Sequence, residues 1–97
     1  MNDIKLFTLS NGIELIGKLV SNEPTYYIIT DVRRIHVQMQ PDGSHGIALI
    51  PYSPIVQDGK HRFYHAHIAT ECEDIIPDAF VKAYIQETSQ IQIVGKL

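Results

Sequence analysis

Residues 13–20 place Ile13, Leu15, Gly17 and Leu19 on one face of an extended chain and Glu14, Ile16, Lys18 and Val20 on the other. Apolar side chains therefore occupy both faces. A chain of 97 residues has no room for a second layer of sheet to cover each of them. The ways out are few: a sheet bent back on itself, a helix packed across it, or a neighbouring copy. Gly17, inside the run, marks a sharp bend or a close approach of another backbone. Just before it, Asn11-Gly12 predicts a tight hairpin with a type I′ turn, because both residues tolerate positive φ.

The same alternation continues. Residues 4–10 form a first strand. Residues 21–24 form a polar loop ending at Pro24, which has no donor for a ladder. Residues 26–40 are rich in β-branched and aromatic side chains and free of Gly and Pro, which predicts one long, bent strand broken near Asp31. Pro41-Asp42-Gly43 is a turn, and 46–50 a short apolar strand. Pro51 and Pro54 push 52–56 to an edge. Asp58-Gly59 turns the chain again before a last strand over 63–72. The period then changes: Phe80, Ala83, Tyr84 and Glu87 recur at helical spacing, with Pro77 suited to a first turn. Residues 90–94 alternate once more, as a short strand or docked tail.

Eight Lys plus Arg against eleven Asp plus Glu leave a net charge of −3, which excludes a generally basic nucleic-acid coat but permits a local patch. No stretch reaches the roughly 18 apolar residues of a membrane span. The single cysteine, Cys72, excludes an intrachain disulfide and suits a reducing, cytoplasmic setting. It stands at no helix start that would activate it, no serine lies in Gly-x-Ser-x-Gly, and no Gly-rich phosphate loop is present. Catalysis is not expected, nor a cofactor.

The segment 9–20, Leu-Ser-Asn-Gly-Ile-Glu-Leu-Ile-Gly-Lys-Leu-Val, resembles the first signature of Sm-like proteins (Sm, Lsm and Hfq). There, a polar-Gly turn and a second glycine five residues on open an alternating run. Residues 27–32 look like that family's third strand, and small Sm-like proteins of tailed phages share the flavour. The resemblance covers 4–35 well and 46–68 in outline. It lacks the family's leading helix, carries Tyr26 and Tyr27 where Met and Asn are usual, and has Pro51-Tyr52-Ser53-Pro54 in place of the second signature.

This resemblance implies a mostly β fold, a small, strongly bent five-stranded barrel over residues 1–73, to which the change of period adds a C-terminal helix over 74–90 and a tail over 91–97, all as one domain. It implies a cyclic homo-oligomer in which strand 46–56 of one copy pairs with strand 63–72 of the next. It also implies a non-catalytic module for single-stranded RNA. Tyr26 or Tyr27 would stack on a base, Asn22 would hydrogen-bond, and Lys60, His61 or Arg62 would meet phosphate or base. Adjacent strand residues face opposite ways, so only one of the tyrosines can serve. The plainer readings are core or interface tyrosines, a solubilising loop, and an assembly protein with no RNA.

One further pattern competes. Gly59, His65-Ala66-His67 and Glu71 reproduce the spacing of the first metal motif of cupins, which they resemble. On a straight strand His65 and His67 would share a face about 7 Å apart, with Glu71 beside them, a workable set for one first-row metal. No second motif follows, and too little chain remains for the rest of that fold.

Overall fold

The computed structural model describes residues 3–53, 55–56 and 59–96 and, in the closing helix, side chains as far as Ser89. In chain order these form β1 (Ile4–Leu9), β2 (Glu14–Asn22), β3 (Tyr26–Met39), β4 (His45–Pro51), β5 (Lys60–Tyr64), a 3-10 turn (His65–His67), β6 (Ile68–Glu71) and α1 (Asp78–Lys96). The strands make one antiparallel sheet in the order β4-β3-β2-β1-β6, with β5 also paired to β3.

The expected five-stranded closed barrel is corrected to a curled sheet of six strands. The last strand must serve two partners. Its first part, β5, lies along β3, from Tyr26↔Tyr64 to Thr30↔Lys60. Its second part, β6, lies along β1, at Phe7↔Glu71 and Thr8↔Thr70. The 3-10 turn between them makes that change of partner. It is pinned by the His65 amide donating to the Thr25 carbonyl (3.0 Å) and by the Ser10 amide and hydroxyl donating to the His67 carbonyl (2.8 and 3.1 Å). The two ends of the curl are thus joined through the covalent chain rather than by an unbroken ladder.

Of the three hairpins that link β1 to β4, the first and the third use the same device. The Gly12 amide donates to the Leu9 carbonyl and the Leu9 amide to the Ile13 carbonyl, both at 2.9 Å, with Gly12 at φ 89°. The Gly43 and Gln40 amides repeat the pattern with the Gln40 and Ser44 carbonyls (3.0 and 2.7 Å), with Gly43 at φ 88°. Only the glycine takes positive φ. The first hairpin is therefore a three-residue loop with a terminal left-handed glycine, not the expected type I′ turn. Pro54 and Asp58, placed in turns or at an edge by their residue types, lie outside the described residues.

Gly17 and Asp31 set the bend. Ile16 pairs with Arg33 and Lys18 with Thr30, so Gly17 faces both Asp31 and Val32. This is a β-bulge, and Asp31 takes φ 52° to make it. The extra residue shifts the alternation of β3. Before it Tyr27 and Ile29 point inward; after it Val32 does, while Arg33 and Ile35 turn to the opposite face. The sheet consequently buries both faces. Phe7, Leu15, Tyr27, Ile29, Val32 and Phe63 fill the inside of the curl. Ile16, Ile35 and Tyr84 pack with Ile4, Leu6, Leu49 and Phe80 where α1 crosses the outside. Each such fully buried side chain contributes about 1.5–3 kcal/mol.

The helix begins at Asp78 rather than 74, because the residue before Pro77 is held out of helical backbone. The Pro77 carbonyl accepts its first hydrogen bonds, from the Phe80 and Val81 amides. It then runs through the residues expected to form a tail, to Lys96. Tyr84 ties it to the bulge by donating to the Asp31 carbonyl at 2.8 Å.

A side chain at Gly17 would run into Cγ2 of Ile29, itself buried, and come within 3.2 Å of the Thr30 carbonyl. Gly17→Ala is expected to cost about 1–3 kcal/mol of stability. A urea titration of the two chains measures this; an unchanged midpoint would mean the bulge does not need the missing Cβ.

Candidate nucleic-acid interface

The register of β5 on β3 decides which of the candidate residues meet. Tyr26↔Tyr64, Ile28↔Arg62 and Thr30↔Lys60 share the outer face, and Lys18 of β2 joins the last row through its pairing with Thr30. Directly opposed side chains on one face lie about 5 Å apart at Cβ. Lys18, Lys60 and Arg62 are all exposed. The outer face thus gathers three cations and two tyrosines on a chain whose net charge is −3.

Within it, the Arg62 guanidinium lies 4.2 Å from the centre of the Tyr26 ring. Tyr64 meets Tyr26 edge-on at 6.0 Å, and the His67 ring stands 6.5 Å beyond Tyr64. Hydrogen bonding to Tyr64 foremost, and then the charge of Tyr26, hold the guanidinium pKa above its ordinary value. Arg62 covers Tyr26, but Tyr64 keeps 46% of its surface exposed. An open aromatic ring beside fixed positive charge can stack a planar base while its phosphate meets the cations.

The other candidates face elsewhere. Tyr27 is 6% exposed, inside the curl. Its hydroxyl donates to the Glu71 carboxylate, 3.0 Å from either oxygen, and Lys5 Nζ reaches Oε2 at 3.1 Å. Tyr27→Ala would therefore report on folding, not on stacking. His61 also points inward, its Nε2 donating to the Val56 carbonyl at 3.2 Å and its ring against Tyr52. Asn22 is exposed at the end of β2, in register with Tyr27 rather than with the outer row. Of the residues singled out from sequence, Tyr26, Lys60 and Arg62 are brought together. Tyr64 and Lys18 complete the face. Alternation from Arg62 points to Tyr64, but only the pairing of β5 with β3 shows what it stands beside.

His65, His67 and Glu71 do not form the metal set. That geometry required a straight strand, and His65 and His67 lie instead in the 3-10 turn. His65 donates from Nε2 to the Glu23 carbonyl at 3.0 Å and packs edge-on to Tyr27 at 4.4 Å, while Glu71 is held by Tyr27 and Lys5. Among the described residues no group of three metal-ligating side chains converges. None of their helices is long and apolar enough to cross a membrane.

A scan against protein-family models finds no match, and a search of curated proteins finds none either.

The Tyr27–Glu71–Lys5 cluster gives the chain a pH response. Burial first, and then the bond to Glu71, raise the Tyr27 pKa above 10.0. Burial lowers that of Lys5, but the hydrogen bond and charge of Glu71 outweigh it and raise it above 10.5. Both groups hold their protons more tightly folded than unfolded. The stability they contribute is complete below about pH 10 and is lost as pH rises through the folded values. Urea midpoints are expected to stay level from pH 7 to about 9 and fall above 10. Glu71→Gln lowers the neutral midpoint and flattens the alkaline fall; parallel curves for the two proteins would refute the assignment.

Proposed function

We propose that this chain is a non-catalytic binding module of the Sm-like kind, a phage-type variant that assembles with its own copies into a ring and holds single-stranded RNA on its outer aromatic–basic face. Arg62 seated on Tyr26 beside the half-open Tyr64 ring is the observation that carries the RNA reading. The meander of β1 to β4, the sharply bent third strand, and a last strand that reaches both β3 and β1 support the family reading.

Ring assembly is supported by the ends of the sheet. Among the described residues β4 and β6 each pair on one side alone. An unpaired edge invites another strand, and β4 bears no proline before Pro51 to discourage one. Val37, Met39 and Ile50 stand exposed along the same hairpin. Joining β4 of one copy to the last strand of the next covers both edges and, with a closing rotation, yields a ring. The lone Cys72 fits a reducing cytoplasm.

A second reading, an assembly protein of the same fold that binds no RNA, is favoured by the acidic balance and by this apolar hairpin.

Oligo-uridine titrations across salt separate the two. On the RNA reading, Tyr64→Ala costs about 1–3 kcal/mol of binding. Removing a phosphate-contacting cation, as in Lys60→Gln, reduces the salt slope by about 0.7. Mass in solution stays that of the wild-type ring in both variants. Unchanged affinity and slope would leave the assembly reading, and a monomeric mass would remove the ring.

A further inference from the structure

Away from the outer face, a groove of about 460 Å³ opens between the start of β1, the far part of β2, and the chain that leads from β6 into α1. Its volume is in the range of sites that take a small ligand or a few side chains. Ile4, Leu19, Ile76 and Val81 give it apolar walls. Ile75, 93% exposed, stands at its lip. Asp3, Asp74 and Asp78 supply the charge of its rim. The cation lining it, Lys5, is already engaged by Glu71 at 3.1 Å. Asp78, as the first residue of α1, is partly balanced by the helix dipole. Asp3 and Asp74, both exposed, have no such balance from a helix end.

We propose that this groove docks a basic, amphipathic segment of a partner protein, in which Lys or Arg alternates with Leu or Ile. An apolar side chain of the partner enters between Ile4 and Val81 and covers Ile75, while its cations meet Asp3 and Asp74. Charge complementarity selects this occupant. An acidic segment would be repelled by the rim, and a purely apolar one would leave the carboxylates facing an uncharged cover. The surface is distinct from the Tyr26–Arg62–Tyr64 face, so the inference stands whether or not RNA binds there.

Cys72 lines the groove, is half-buried, and is the chain's single cysteine, its thiol donating to the Asp74 carbonyl at 3.4 Å. It therefore reports occupancy without an added label site. The full chain is reacted with N-ethylmaleimide at low salt, alone and with a capped five-residue peptide alternating Leu and Lys, or its counterpart alternating Leu and Glu. The Leu-Lys peptide is expected to protect Cys72 saturably, slowing the reaction roughly tenfold at ten times its Kd. The Leu-Glu peptide is expected to give no protection. Asp3→Asn and Asp74→Asn each weaken the peptide by about threefold to fivefold, and Arg62→Ala leaves it unchanged. Urea midpoints of the variants confirm that they fold. Equal protection by both peptides, or none by either, overturns the proposal. So does a thiol that becomes protected by raising protein concentration alone with the mass in solution already constant, which would assign the groove to a second copy.

Discussion

The Asp31 bulge, opposite a glycine that alone leaves room for it, is the constraint on which the rest of the molecule depends. Left-handed backbone at a residue with a side chain is costly, and aspartate is among the few that take it readily. One extra residue in β3 exchanges which side chains look inward. Without that exchange Val32 would leave the interior and Ile35 would leave the helix. The strand could not then serve the inside of a curl with one half and a helix-covered face with the other. The dual apolar character of the short strands is thus a requirement of the bend, and α1 is the cover for the face the bend exposes.

Polar contacts hold this arrangement at two places. At the bulge, Tyr84 donates to the Asp31 carbonyl. Nearby, Arg33, wholly buried, lies with Nε 3.6 Å from the Glu87 carboxylate while Nη1 donates to the Val32 carbonyl at 3.3 Å. A charge taken out of water keeps its place only with such partners, so the helix docks in one position along the strand. At the open mouth of the curl, Tyr27, Glu71 and Lys5 link β3, β6 and β1. The outer face differs in kind. Its Arg62, Lys60 and Lys18 sit in solvent and contribute little to holding the fold, which leaves them available for contact with something else.

Much of this was legible in the residues, for physical reasons that differ from place to place. Asn11-Gly12 and Pro41-Asp42-Gly43 announced turns because glycine admits backbone that other residues resist. Gly17 announced a close approach and the bend of residues 26–40 was legible, but the strand does not break at Asp31: it runs on from Tyr26 to Met39 through a bulge. The split between Tyr26 and Tyr27 followed from strand geometry. The break at His65 was not legible. Residues 63–72 keep the alternation and composition of a continuous strand, with no glycine or proline, and the interruption comes from the need to leave β3 for β1. That non-local demand dissolved the His65, His67, Glu71 metal set, while His61 faces inward through its pairing with Ile29. The late start of α1 could have been read from Pro77 acting on Ile76. Its continuation to Lys96 ran against a local two-residue period.

The seam between β1 and β6 has a consequence for how the chain comes into being. Lys5 and Glu71, which meet there, stand 66 positions apart in sequence. Such distant contacts form late, since the intervening loop must be ordered before they reward it. A growing polypeptide can make the first hairpin as soon as β2 leaves the ribosome. The far side of β1 then waits as bare backbone until β6, at Ile68–Glu71, has been translated. Interrupted synthesis before β6 would release a product with that border still open, a template for clumping rather than for orderly self-association.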